Sequence, residues 1–302
     1  MAVLQSMRKN PSMKKIIHLK NAFVQRIKRM LQPYEEGRII FDRYDIDQSL
    51  KQKTRAKRTQ GKTIEFKVHD EMSITGVSLR DLLSSTKTKE NIAELFGDAV
   101  LNAYEGSEKK VVVGTGTTIR INHPHSIDPT FAKHSHEEAD TMIPMHVINA
   151  VKDSPFKDID VWSPDTDVLI LLMDLVAHDR ISGLTKLKLV TGIGNKVRSI
   201  NIPERVAAIG HHKCQGLIGL HNFSGADWGG RFVGISKKNW ITSYLSLPTE
   251  DPIIDAFRNL GDGNLTEKDL VEDELPLETR PIERFVCSVY KPGGPQILPD
   301  LR

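Results

Sequence analysis

The stretch from Ile159 to Val176 limits the fold more than any other part of the chain. Ile159 to Trp162 reads as a short strand, Ser163-Pro164-Asp165-Thr166-Asp167 follows as an acidic turn, and Val168 to Val176 continues as an apolar segment too long for a surface loop. Strand, acidic turn and helix in that order is one half of a βα repeat. Such a helix buries its apolar side against a sheet.

The rest of the chain extends the pattern. Asn21 to Leu31 places Ala22, Phe23, Ile27, Met30 and Leu31 at helical spacing, with Pro33 as the stop. Arg38-Ile39-Ile40-Phe41-Asp42 reads as a buried strand ending on a carboxylate, and Val111 to Val113 as a second. After a histidine-rich loop, His123 to His136, an acidic step leads into Met142, Ile143, Val147, Ile148 and Val151, again at helical spacing. Lys186 to Val190 and Val197 to Ile202 read as strands around Gly192-Ile193-Gly194-Asn195, with Pro203 to Ile209 as a helix. The expected fold is therefore α/β, with a mostly parallel central sheet carrying helices on both faces. Residues 1–250 form the expected core, and 251–302, acidic and proline-containing with little periodicity, a peripheral tail.

Composition removes several alternatives. With 302 residues, 39% of them hydrophobic, the chain can bury a substantial core. Cys214 and Cys287 stand far apart and neither lies in a CxxC pair, so a disulfide framework and a zinc ribbon are both excluded as expectations. No apolar run reaches membrane-spanning length, and the basic segment Met1 to Lys20 lacks the apolar centre of a signal peptide. An intracellular protein, nuclear or cytoplasmic, without a membrane partner, is expected. The formal net charge is only +3, so attraction to phosphate has to come from local clustering of cations. Lys51, Lys53, Arg55, Lys57 and Arg58 form such a cluster. Lys51, Arg55 and Arg58 share one face if the run is helical, where they would contact a nucleic-acid backbone without reading its sequence. Lys237 and Lys238, at an expected helix start, are further candidates for phosphate contacts.

Carboxylates at strand ends carry the chemical expectation. Open α/β sheets bind ligands beyond the carboxyl ends of their strands, where Asp42, the pair Asp165 and Asp167, and Asp227 are expected. Several carboxylates in one crevice repel one another unless a hard cation such as Mg²⁺ or Mn²⁺ neutralises them. One or two such ions support in-line displacement at phosphorus. A single strand-end Asp is equally well explained as a turn or helix cap, and Glu137, Glu138 and Asp140 as acids placed at the positive end of a helix dipole. Their joint occurrence favours a site.

The ordered segments HEEADT, SPDTDVLIL and HNFSGADWGGRFVGISKKNW resemble the acidic motifs of the flap endonuclease and PIN-like nuclease superfamily, over roughly His136 to Leu247. The resemblance implies a metal-dependent nuclease of DNA or RNA whose ligands are Glu138 and Asp140, Asp165 and Asp167, and Asp227. The upstream IIFDRYD segment resembles the family's strand-plus-Asp motif and adds Asp42. The basic segment at about 43–90 resembles the helical gateway that grips a substrate strand. Glu138 is preferred to Glu137 from the motif, which leaves Glu137 in a supporting position. Three departures temper the implication. The family's first strand and its Asp have no counterpart after Met1, Pro144 stands where the family continues a helix and is expected to remove one backbone hydrogen bond and kink it, and Gly234-Ile235-Ser236 keeps only one of two glycines of the duplex-binding element. The alternative is a catalytically inactive, nucleic-acid-binding relic of the same fold. An Asp-x-Asp transferase of nucleotide sugars is a third reading, with no support beyond Asp165 and Asp167. Trp228 and Trp240 read as core residues before base-stacking ones, and the histidine spacing matches no zinc module.

Overall fold

The structure, a computed structural model, describes residues 2–7, 9–44, 63–128, 131, 136, 138–153, 158–192, 194–225, 232–260 and 280–294. It is α/β, and the described residues divide into two compact units. The first comprises residues 1–154, 162–165 and 191–198; the second comprises 155–161, 166–190 and 199–302.

In the first unit, strand β1 (Glu36–Ile40) runs parallel to β2 (Lys110–Thr115), from Glu36 opposite Lys110 to Ile40 opposite Gly114. A parallel pair needs a long crossover, and the chain between the strands includes the helix Thr86–Asn102. Ser85 caps that helix by accepting the Thr88 N–H, and Ile92, Phe96 and Val100 recur every fourth residue on its buried side. Gly97 lets it approach β2, since a Cβ there would lie 2.9 Å from Val113 Cγ1. Phe96 meets Phe23 of the helix Ile16–Leu31 at 5.4 Å between ring centroids, and Phe23 meets Phe41 at 6.3 Å. These rings, with Ile16, Leu19 and Ile92, form the first core. The third strand, β3 (Thr118–Ile121), is antiparallel to β2 and joined to it through Gly116 at φ +56°.

The helix Ala139–Asp153 packs on β1 and contains Pro144. Its attachment is polar. Arg38 of β1, held by Glu36 Oε1 at 2.6 Å, donates from Nη1 to the His146 carbonyl at 3.1 Å and to Asn149 Oδ1 at 2.8 Å. The Arg38 and Glu36 side chains are almost fully buried. Phe131 lies under the guanidinium at 5.9 Å and edge-on to the His146 ring at 5.0 Å.

Strands β4 (Asp158–Trp162), β5 (Lys186–Thr191) and β6 (Arg198–Asn201) make the other sheet, in that order. In the second unit, the helix Thr166–Ala177 buries Val168 and Leu172 and packs on the helices Ile202–Ile209 and His211–Gln215. Beyond it, Leu217–Phe223, Lys237–Leu245, Pro252–Arg258 and Arg280–Tyr290 are short helices gathered on aromatic rings. Phe257 touches Phe223, Tyr244 and Phe285 at 5.5, 5.8 and 5.5 Å, and Trp240 touches Phe223, Phe232 and Phe285. Gly219 makes this possible, because a Cβ there would run into the Phe257 carbonyl.

Two expectations need correction, and one element is new. The single, mostly parallel sheet is, among the described residues, two three-stranded sheets, one of which contains an antiparallel pair. The hairpin at Gly116 accounts for the antiparallel strand. Residues 251–302 contain more than a peripheral tail: Ile253, Ile254, Phe257, Ile282, Phe285 and Val286 are core residues, and the amphipathic spacing of the last three is plain once Arg280 is taken as a helix start. The helix Thr86–Asn102, unremarked in the sequence reading, is central to the first core. No helix among the described residues is long and apolar enough to cross a membrane.

Candidate active site

Asp42 lies just beyond the carboxyl end of β1, whose ladder is prolonged by the Phe41 N–H donating to the Gly114 carbonyl at 3.0 Å. Its Oδ1 accepts the backbone N–H of Ala139 at 3.0 Å, and its Oδ2 accepts the Tyr44 hydroxyl at 3.0 Å. Ala139 is the first residue of its helix, so Asp42 caps that helix from 97 residues away. Glu138 and Asp140 flank the capped amide, and the Glu138 carbonyl accepts the Met142 N–H, the first bond of the helix, at 3.2 Å. The structure thus brings the Asp42 carboxylate to the backbone between two other residues that the motifs nominate. The same geometry explains what they do for the fold: anionic groups at a helix N-terminus offset unpaired N–H groups and the positive end of the dipole.

Asp165 follows β4 in an exposed turn, where its N–H donates to Ser163 Oγ at 3.1 Å. Asp167, in the first turn of Thr166–Ala177, is held by side chains. His221 Nε2, from the end of the helix Leu217–Phe223, lies 3.0 Å from Asp167 Oδ1. Lys237 Nζ lies 3.0 Å from the same ring nitrogen and donates to the Gly225 carbonyl at 3.1 Å. His221 was not singled out in the sequence reading, although it opens the segment HNFSGADWGG. Lys237, nominated for phosphate, is thereby engaged with protein groups, whereas Lys238 is exposed at the start of its helix. Asp227, Lys51, Arg55, Arg58, Glu137 and Trp228 lie outside the described residues. Trp240 is fully buried in the aromatic cluster and has no face for a base. Of the histidines, His125 Nε2 contacts the Ser107 carbonyl at 3.0 Å and His123 is largely exposed.

The donors at the motif positions are carboxylate oxygens, the ligand type that hard divalent cations take. Among the described residues, no three His, Cys, Asp or Glu side chains are gathered closely enough to hold one ion. Asp42 Oδ1 and Asp167 Oδ1 each already have a protein partner.

A separate cavity of about 340 Å³ opens at the other end of the helix Thr166–Ala177, lined by Asp174, His178, Arg180, Gln215 and Arg258 among others. Asp174 is buried, which pushes its carboxyl above the usual range, while His178 at 3.0 Å and Arg180 at 3.8 Å pull the other way. Arg258 is paired to Asp255 at 2.9 Å. Each guanidinium of the lining is thus matched by a carboxylate, Arg180 by Asp174 and Arg258 by Asp255. Burial also pushes the Cys214 thiol up to about 11, so it stays protonated and unreactive.

Comparison of the chain with protein-family models, with curated proteins and with solved structures finds no match.

Proposed function

We propose that this protein is a metal-dependent nuclease of the PIN-like, flap endonuclease-like type, hydrolysing phosphodiester bonds of DNA or RNA. The observation that carries this reading is Asp42: a carboxylate at the end of a parallel strand, 97 residues upstream, sits on the amide between Glu138 and Asp140. The ordered acidic motifs nominate these same three residues. Asp42, Glu138, Asp140, Asp165, Asp167 and Asp227 are the proposed ligands of Mg²⁺ or Mn²⁺. When bound, such an ion lowers the pKa of a water nucleophile and offsets charge on the phosphate. The chain's own groups orient these carboxylates: the Ala139 N–H holds Asp42, and His221 holds Asp167. Lys51, Arg55, Arg58 and the exposed Lys238 are the proposed contacts to the nucleic-acid backbone, which they would position without reading sequence.

The test is cleavage of end-labelled single-stranded, flapped and duplex DNA and RNA, with Mn²⁺ or with EDTA. Cleavage that EDTA abolishes and that Asp165→Ala and Asp167→Ala each remove is expected; cleavage retained in both variants would overturn the site.

One observation favours a second reading, a non-catalytic nucleic-acid-binding protein of the same fold. Asp167 already has His221 beside it, with Lys237 on the same imidazole nitrogen, so its charge has an internal counterpart. This reading predicts binding that weakens steeply with salt, and no cleavage with Mn²⁺.

A further inference from the structure

We infer that His221 is a positioning residue that fixes the rotamer of Asp167 through an Nε2–H to Oδ1 hydrogen bond. This inference rests on the nuclease reading for its consequence, though not for its geometry. Two groups meet at His221 Nε2: Asp167 Oδ1 at 3.0 Å and Lys237 Nζ at 3.0 Å. A neutral imidazole nitrogen either donates or accepts, so only one of the two contacts is a hydrogen bond at any moment. The other ring nitrogen, Nδ1, is buried without a partner among the described residues. It decides the choice. If Nδ1 carried the proton, Nε2 would accept from Lys237, but a buried N–H would be unsatisfied and the Nε2 lone pair would also face a carboxylate. If Nε2 carries it, the orphan is only an acceptor, and the bond to Asp167 is charge-assisted. In either tautomer Lys237 has a donor for the Gly225 carbonyl, which ties the helix Lys237–Leu245 to the end of Leu217–Phe223.

The arrangement resembles the way carboxylate ligands of metal sites are oriented by hydrogen bonds behind them, and removal of such a partner costs about 10- to 100-fold in metal affinity or activity. His221→Ala should therefore lower the single-turnover cleavage rate about ten-fold or more at unchanged KM, with His221→Gln, which retains an N–H donor, restoring part of it. The decisive readout is independent of activity. In the full chain labelled with ¹⁵N-histidine, the His221 signals are assigned by their loss in His221→Gln, and the two ring-nitrogen shifts report the tautomer. An Nε2–H tautomer that persists in Lys237→Met, with shifts that move in Asp167→Ala, is expected. An Nδ1–H tautomer, or His221 shifts indifferent to Asp167→Ala, would overturn the inference. Absence of metal-dependent cleavage in the wild type, with the NMR result as expected, would instead remove the nuclease reading and leave the Asp167–His221 pairing standing.

Discussion

The two units hold their motif carboxylates by different means. In the first, Asp42 is fixed by a backbone amide, and the strand and helix that create the contact are tied together by the buried Arg38–Glu36 pair and by Asn149. In the second, Asp167 is fixed by His221, whose helix belongs to the aromatic assembly around Phe257 and Trp240. A backbone cap is part of the fold and cannot be removed by mutating the donor's side chain. A side-chain partner can be removed while the fold remains. Substitutions near Asp42 should therefore register in stability, and those near Asp167 in function.

Phe257 has rings against it on three sides and is fully buried, so Phe257→Ala should destabilise the second unit by about 3–5 kcal/mol, read by urea denaturation. Arg38→Ala strands the buried Glu36 carboxylate with only Lys110, 3.6 Å away, and should cost about 3 kcal/mol in the same assay. A cost near zero would mean that polar attachment of the helix Ala139–Asp153 contributes nothing. Asp42→Ala should cost about 1 kcal/mol and accelerate hydrogen exchange at the Ala139 amide. Asp167→Ala, at a half-exposed carboxylate, should shift the denaturation midpoint by less than either. Equal costs for Asp42→Ala and Asp167→Ala would erase the distinction between the units.

The smallest effect is one of pH. The folded pKa of Asp174 is raised by burial, so this group's contribution to stability is complete below the ordinary carboxylate value and is lost as pH rises through the raised folded value. Asp174→Asn should therefore gain on the wild type across that window and level off above it. Denaturation midpoints at matched pH values check the sign, and a difference that shrinks as pH rises would contradict it.

Much of this was legible in the sequence, for reasons that differ by element. The βα step at Ile159 to Val176 and the strand before Asp42 were readable because apolar runs bounded by acids and prolines have few alternatives. The hairpin at Gly116 was not, since β3 has only four residues and one buried position. The final helix was hidden by the acidic, proline-containing sequence before it, although Ile282, Phe285 and Val286 have the spacing of a buried face. The motif order pointed to Asp42 and Asp167 but could not reveal their partners. Pairing Asp42 with the Ala139 amide, or Asp167 with His221, depends on contacts across 97 and 54 residues that no local pattern records.

The proposed site requires that the motif carboxylates bind a hard divalent cation, which titration of Mn²⁺ into the full chain tests, with free ion read by electron paramagnetic resonance. Saturable uptake of about one to two equivalents is predicted for the wild type, with loss of that uptake in the triple variant Asp42→Asn, Asp165→Asn, Asp167→Asn. Uptake by the triple variant equal to that of the wild type, or no uptake by the wild type, would contradict the account.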